Sequence, residues 1–203
     1  MVAESGDRWV CYYEATAGRP PRDTLLRALA AIEAEGTANA GRLALDLGSG
    51  DGRDTVELLR RGWHVIAIDA EPRAFERLRS RADLVRGEAL ETRVERIEDA
   101  ELPEADLVNA SFSLPFCPPD RFPAAWRRIV AALRPGGRFA GHLLGTRDDW
   151  AKDTAVTSFE RDAALALLGD FTVEHFEEEE TDSTTPTGTP KHWHLFHVVA
   201  RRR

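Results

Sequence analysis

Leu43-Ala-Leu-Asp-Leu-Gly-Ser-Gly-Asp-Gly-Arg-Asp-Thr55 decides how this chain folds. An apolar run ends in an acid, passes through Gly48, Gly50 and Gly52, and opens into a helical pattern. Glycines at that spacing permit a tight strand-to-helix turn and close backbone approach by a ligand, since no Cβ intervenes. A dinucleotide fingerprint, G-x-G-x-x-G, would need glycine at position 53, where this chain has arginine. Asp51 and Asp54 flank the loop and would repel a pyrophosphate, whereas a cationic ligand tolerates them.

Working outward, Gly41 to Leu47 predicts a first strand and Gly52 to Arg61 a helix, with Asp54 and Glu57 early and Arg60 and Arg61 late, as the macrodipole prefers. Gly62 caps that helix. His64 to Ile68 predicts a second strand ending at Asp69, and Glu71 to Arg81 an arginine-rich helix. Strands follow at Arg93 to Ile97, Asp106 to Ala110 and Arg138 to Leu144, with a helix over Pro119 to Leu133 closed by Arg134-Pro-Gly-Gly137. Upstream, Leu25, Leu29 and Ile32 recur at helical spacing until Gly36. The last third predicts a helix over Phe159 to Leu168 and strands over Phe171 to Phe176 and His192 to Ala200, joined by a mobile polar loop, Thr181 to Pro190. Alternating strands and helices with short connections argue for parallel βαβ units in a doubly wound α/β sheet.

The acid-before-glycines pattern resembles motif I of the class I S-adenosylmethionine-dependent methyltransferases. The size and the Asp-Leu-Gly-Ser-Gly-Asp-Gly-Arg loop look most like bacterial small-molecule enzymes of the tellurite-resistance and thiopurine type. The resemblance implies a Rossmann-like, mostly parallel seven-stranded sheet with a C-terminal antiparallel strand pair. It implies one methyltransferase domain over 1–203, with a lid and helix in 1–40 and the core in 41–203. S-Adenosylmethionine would be the cofactor and a small molecule the methyl acceptor. The alternatives are a protein or RNA methyltransferase and a non-catalytic S-adenosylmethionine-binding domain. The absence of an Asn-Pro-Pro-Tyr-type motif after the fourth strand speaks against adenine-N6 DNA methylation.

Asp69 lies 19 residues after Gly50, the return distance of a βαβ unit, and its two oxygens match the vicinal diol of a ribose. The resemblance places Gly48, Ser49, Gly50 and Gly52, with Ala70 beside Asp69, against the cofactor, and gives Asp46 its amino group. It assigns the adenine amino group to Asp99, with Glu98 as the alternative. Asn109, Ala110 and Ser111 close the fourth strand, so they border the cofactor's methionine part and the acceptor pocket. Phe112 and Phe116 form either an apolar wall of that pocket or part of the core. Arg53 either meets the cofactor carboxylate or pairs with Asp54 or Glu57 on its own helix.

Trp9-Val-Cys-Tyr-Tyr13 precedes the fold proper. Related enzymes lay such a segment over the site as a lid, with Tyr13 the preferred contact and Tyr12 the second; a tail docked on the surface is the alternative. Tyr13 and His142 are the weak candidates for a catalytic base. His192 and His194 share one strand face and His197 the other, so no three-ligand metal site is expected, and Glu178 or Glu180 can face the first pair across the hairpin.

Composition bounds the rest. With 203 residues and 42% hydrophobic content the chain supports one α/β domain with a substantial core. A net charge of −8, without a dense basic block, disfavours nucleic acid as partner. Cys11 and Cys117 lie in unrelated contexts and read as reduced thiols. The N-terminal residues have no apolar stretch resembling a signal peptide or anchor, so a soluble cytoplasmic protein is expected. Nothing in the sequence sets the oligomeric state.

Overall fold

The structure is a computed structural model that describes residues 5–36, 41–85, 87 and 89–203, with side chains from residue 9 onward. The ends of the expected 1–40 lid-and-helix segment lie outside the described residues. In chain order the elements are α1 (Ser5–Thr16), α2 (Asp23–Ala34), β1 (Leu43–Leu47), α3 (Arg53–Arg60), β2 (His64–Asp69), α4 (Pro72–Ser80) and β3 (Leu90–Val94). There follow β4 (Ala105–Ala110), α5 (Phe122–Ala132), β5 (Leu133–Leu144), α6 (Arg161–Ala166), β6 (Phe171–Thr184) and β7 (Pro190–Arg202).

The sheet has seven strands in the order β3-β2-β1-β4-β5-β7-β6. β1 to β5 pair in parallel, β7 enters antiparallel to β5, and β6 pairs antiparallel with β7. Strand periodicity sorts the two faces. Leu45 and Leu47 of β1 join Val108, Phe139, Phe196 and the α5 residues Trp126 and Ile129 in one core. Ala44 faces the other way, toward a second core built with Leu25 and Leu29 of α2, Val56 and Leu59 of α3, and Phe75 and Leu78 of α4. Strand order reverses direction between β1 and β4, and ligands in open α/β sheets bind beyond the carboxyl ends of strands at such a point.

Four elements depart from the sequence expectation. β3 begins and ends three residues before the expected Arg93 to Ile97. It is a polar edge strand whose register is set by pairing Val65 with Leu90 and Asp69 with Val94, while Ile97 packs against the core after the strand has ended. β5 starts at Leu133, so Arg134-Pro-Gly-Gly137 is an irregularity inside the strand's span and not a helix closure. The segment carrying Trp9, Tyr12 and Tyr13 is a helix, α1, for which no helix was expected. Finally, half of the expected loop Thr181 to Pro190 is strand: β6 and β7 stay paired out to Thr184 and Pro190, leaving a turn over 185–189.

Candidate active site

The crossover point opens into a cleft of about 1240 Å³. Its floor is the glycine loop after β1 and the ends of β2 and β4, its roof is α1 and the α1–α2 connection, and its far wall is the outer part of the β6–β7 hairpin.

Gly50 and Gly52 do different work. A Cβ on Gly50, whose φ is +56°, would stand 3.1 Å from the Tyr13 ring, so this glycine lets α1 close on the loop. Gly52, at φ +83°, is shut off from the cleft: a Cβ there would collide with Leu78 at 2.2 Å, so its smallness serves the packing of α4. Between Gly48 and Gly50, Ser49 is buried and lines the cleft, with no partner for its hydroxyl. A buried donor in that position is available to a ligand.

Asp69 stands at the end of β2 with one carboxylate oxygen accepting from the Gly50 N–H at 2.8 Å and the other from the Glu71 N–H at 2.8 Å. Burial raises its pKa, and those two N–H groups act against the rise. Each oxygen keeps lone-pair capacity for a further donor, which suits a diol. Ala70 lies beside it on the cleft wall.

Asp46 and Asn109 are brought together by strand register, since β1 and β4 pair Asp46 with Asn109. Asp46 shares the face of Ala44 and points beneath α3, where the Thr55 hydroxyl donates to it at 2.6 Å. The Asn109 amide donates both to Asp46 at 2.9 Å and to Asp54 at 3.0 Å, clamping two buried carboxylates. Asp54 in turn accepts from the Arg22 N–H at 2.9 Å and so anchors the start of α2. Burial, then the Asp54 charge, push Asp46 up to about 7. An acid in that state is a receptive partner for a cation.

The remaining sequence-derived residues separate by position. Tyr13, Asp46, Gly48, Ser49, Gly50, Asp69, Ala70, Glu98 and Ser111 line the cleft. Gly52, Asp99, Asn109, Ala110 and His142 do not. Of the two acids after β3, Glu98 is buried at the cleft and paired with Arg96, whereas Asp99 turns outward to Arg121 at 2.5 Å. Asn109 acts from the layer beneath, Ala110 belongs to the core, and Ser111 donates to Asn109 at 3.2 Å. Arg53 does not pair with Asp54 or Glu57 on its own helix: its Nε donates to the Pro20 carbonyl, and one terminal nitrogen is buried without a partner.

Of the two candidate bases, His142 does not line the cleft and Tyr13, which does, is held protonated. His142 lies behind Phe112, stacked on it at 4.0 Å between centroids, with burial and then His197 holding its pKa well below normal. Tyr13 is buried, and burial followed by the Asp69, Glu71 and Asp51 charges raises its pKa far above the ordinary phenol value, so it keeps its proton.

The far half of the cleft was largely invisible in the sequence. Phe116 contacts Trp9 edge-on at 5.2 Å and Trp150 at 5.7 Å, and Trp150 meets Trp193 at 5.3 Å. The buried Lys191 ammonium sits over both indoles, 4.2 and 4.1 Å from their centroids, and is paired with Asp148. Phe112 has a left-handed backbone, φ +57°, and carries the Arg22 guanidinium over its ring at 4.3 Å. Farther out, His194 meets Glu178 at 2.9 Å and His192 meets Glu180 at 3.2 Å and Asp182 at 2.7 Å, the pairing expected across the hairpin. Trp150 carried no periodic signal; for Trp193 the cue available was the alternation of Lys191, Trp193 and Leu195 on one strand.

A seven-stranded sheet in this order, with an acid-flanked glycine turn after its first strand, has the Rossmann-like fold of class I methyltransferases. Residues 44–137 match the family model for a methyltransferase domain. The chain is 34% identical over 97 residues to a carboxy-S-adenosyl-L-methionine synthase of Vibrio parahaemolyticus, a match covering 45% of this chain and 40% of that protein. It spans less than half the length of the curated relatives it matches. Among solved structures, TehB from Haemophilus influenzae superposes with a TM-score of 0.76 at 16% identity, over 95% of this chain and 66% of that one. The 1,6-didemethyltoxoflavin-N1-methyltransferase of Burkholderia thailandensis, crystallised with its substrate and S-adenosylhomocysteine, gives 0.63 at 22% identity, over 97% and 85% of the two chains. At these identities the structural matches establish the shared fold.

Proposed function

We propose that this protein transfers a methyl group from S-adenosylmethionine to a small-molecule acceptor. The observation that carries the reading is Asp69, with both oxygens anchored by backbone N–H groups and their remaining lone pairs open to the cleft, beside the unpartnered Ser49 hydroxyl. Asp69 would accept the ribose hydroxyls, Glu98 would face the adenine, and Asp46 would balance the ammonium group. S-Adenosylmethionine supplies a methyl carbon already activated by its sulfonium. What this chain adds is orientation and exclusion of water. With Tyr13 holding its proton and His142 outside the cleft, an acceptor that is nucleophilic without a protein base suits the site best. The relatives differ in the chemistry their names describe, so the acceptor has to be read from the cleft.

The roof formed by α1 would act as the lid, with Tyr13 against the glycine loop. A cleft enclosed by a short helix and a hairpin, on a chain of net charge −8, favours a small acceptor over RNA or a protein. Cys11 and Cys117 are both free thiols, which suits a reducing compartment such as the cytoplasm. Among the described residues no helix is long and apolar enough to cross a membrane.

Calorimetry with S-adenosylhomocysteine and with NAD tests the cofactor assignment directly. Binding of the first and not the second is expected; micromolar NAD binding without a response to S-adenosylhomocysteine would overturn it. Asp69→Ala should weaken S-adenosylhomocysteine at least tenfold, because charge-assisted hydrogen bonds contribute about 1.5–3 kcal/mol each. Hydrogen exchange in α1 should slow on binding; equal protection in both states would make α1 a fixed element. Labelled cofactor incubated with a metabolite extract then identifies the acceptor.

A further inference from the structure

The cleft has room for more than one small ligand. Pockets for single small molecules span about 300–1,000 Å³, and this one reaches about 1240 Å³. The glycine loop, Asp69 and Glu98 account for one side. The other is lined by Phe112, Phe116, Trp150 and Trp193 and by the hairpin.

Four arginines also line the cleft; Arg96 is tied to Glu98, and the others are Arg19 and Arg22 from the α1–α2 connection and Arg53 from the start of α3. Most arginines elsewhere are tied to carboxylates, as Arg138 is to Glu35 and Glu174, and Arg147 to Glu178 and Glu180. Among the described residues these three have no carboxylate partner for their side chains. Arg22 donates to the Tyr12 hydroxyl at 3.1 Å and stacks on Phe112. Arg53 keeps one buried nitrogen unpartnered, and its charged form is disfavoured by burial and then by Arg22. Like charges held together with an unused donor are costly unless an anion joins them.

The aromatic wall is biased the same way. Aromatic side chains often attract cations through their faces. Here the Lys191 ammonium already lies over both Trp150 and Trp193. A second cation would meet a wall whose attraction is spent and three guanidinium groups beside it.

We propose that the second half of the cleft binds a planar aromatic acceptor bearing an anionic group, with Trp150, Trp193 and Phe116 against the ring and the Arg19–Arg22–Arg53 cluster holding the anion. Lys191 is a positioning residue that fixes the two indoles. This rests on the methyltransferase reading, and it names the acceptor class.

The cofactor's own carboxylate is the other anion that could use these arginines, so the test separates the two. The probes are 2-naphthoate and its neutral isostere 2-naphthamide, titrated by calorimetry into the full chain with and without saturating S-adenosylhomocysteine. The expected result is naphthoate binding together with S-adenosylhomocysteine, at least tenfold tighter than the amide. Arg22→Gln should abolish that preference while leaving amide and S-adenosylhomocysteine affinity within about twofold. Arg19→Gln, at an exposed position, gives the same readout should the first variant fail to fold. Equal affinity for the two probes, or a preference that survives both substitutions, overturns the proposal. Naphthoate that competes with S-adenosylhomocysteine also overturns it, assigning the cluster to the cofactor carboxylate. If S-adenosylhomocysteine does not bind at all, the methyltransferase reading falls, while the comparison of the two probes on the free protein still decides whether the anion site exists.

Discussion

Asp46 sets binding against stability at a single residue. It is 1% exposed, beside the Asp54 carboxylate, and its pKa is pushed up to about 7 by burial first and Asp54 second. A carboxyl group with a raised folded-state pKa binds more protons folded than unfolded, so stability falls as pH rises through 7. Between pH 6 and pH 8 that loss is on the order of 1 kcal/mol. Asp46→Asn retains the shape, can still accept from Asn109 and offers its amide to the Thr55 oxygen, while removing the repulsion with Asp54. Thermal melts should therefore show the wild type losing more stability than the variant between pH 6 and pH 8. His192 also titrates upward, held by Asp182 and Glu180, but it is common to both proteins and cancels in the comparison. The variant should bind S-adenosylhomocysteine at least tenfold more weakly, and wild-type affinity should fall as pH drops below 7, because the ionised carboxylate is the form that meets an ammonium. Identical melting differences for the two proteins would show that Asp46 is already ionised well below pH 7.

At the scale of elements, the hairpin is where the two halves of the cleft can be separated. β6 and β7 stay paired to Ser183 and Lys191 and then to Thr184 and Pro190, and the turn beyond them lines the cleft. Replacing residues 184–190 with Asn-Gly, a pair suited to a two-residue hairpin turn, should leave the ladder and the Lys191–Asp148 pair in place. S-Adenosylhomocysteine affinity should stay within about twofold while turnover on the acceptor falls at least tenfold; an equal loss of both would tie the hairpin to the cofactor. The hairpin also shows what the sequence concealed. β1, β2 and β4 were legible because they are apolar runs ending in an acid or a turn, and Asp69 could be placed because a βαβ unit returns at a fixed distance. Thr181 to Pro190 read as a loop because its proline, glycine and polar residues resemble one. Its strand half is held by the β6–β7 ladder and by His192 against Asp182, while Arg147 fixes Glu178 and Glu180 just before it. Asp99 was preferred to Glu98 for a related reason. Which of two adjacent acids turns inward depends on Arg121 and Arg96, and neither arginine's position follows from local pattern.

For the molecule as a whole, the family match covers only part of the cleft. Residues 44–137 hold the glycine loop, Asp69, Glu98 and the end of β4, which form one side of the cleft. The roof and the far wall come from the two ends of the chain: α1 with the connection to α2, and the hairpin formed by β6 and β7. α2 is nonetheless part of the core, through Leu25, Leu29 and Ile32, and β7 is an interior strand of the sheet. A ligand seated between the floor and these peripheral elements should therefore stabilise the fold as a unit. At a free concentration of about 100 times its dissociation constant, a ligand specific for the folded state adds roughly 2.7 kcal/mol. For a chain of this size that corresponds to a rise in Tm of roughly 5–10 °C. S-Adenosylhomocysteine at that concentration should produce a single transition displaced upward by that amount, read by differential scanning calorimetry, and NAD at the same concentration should produce none. A rise confined to one of two separated transitions would show that the two ends of the chain melt independently of residues 44–137, and that the cleft does not bind as one body.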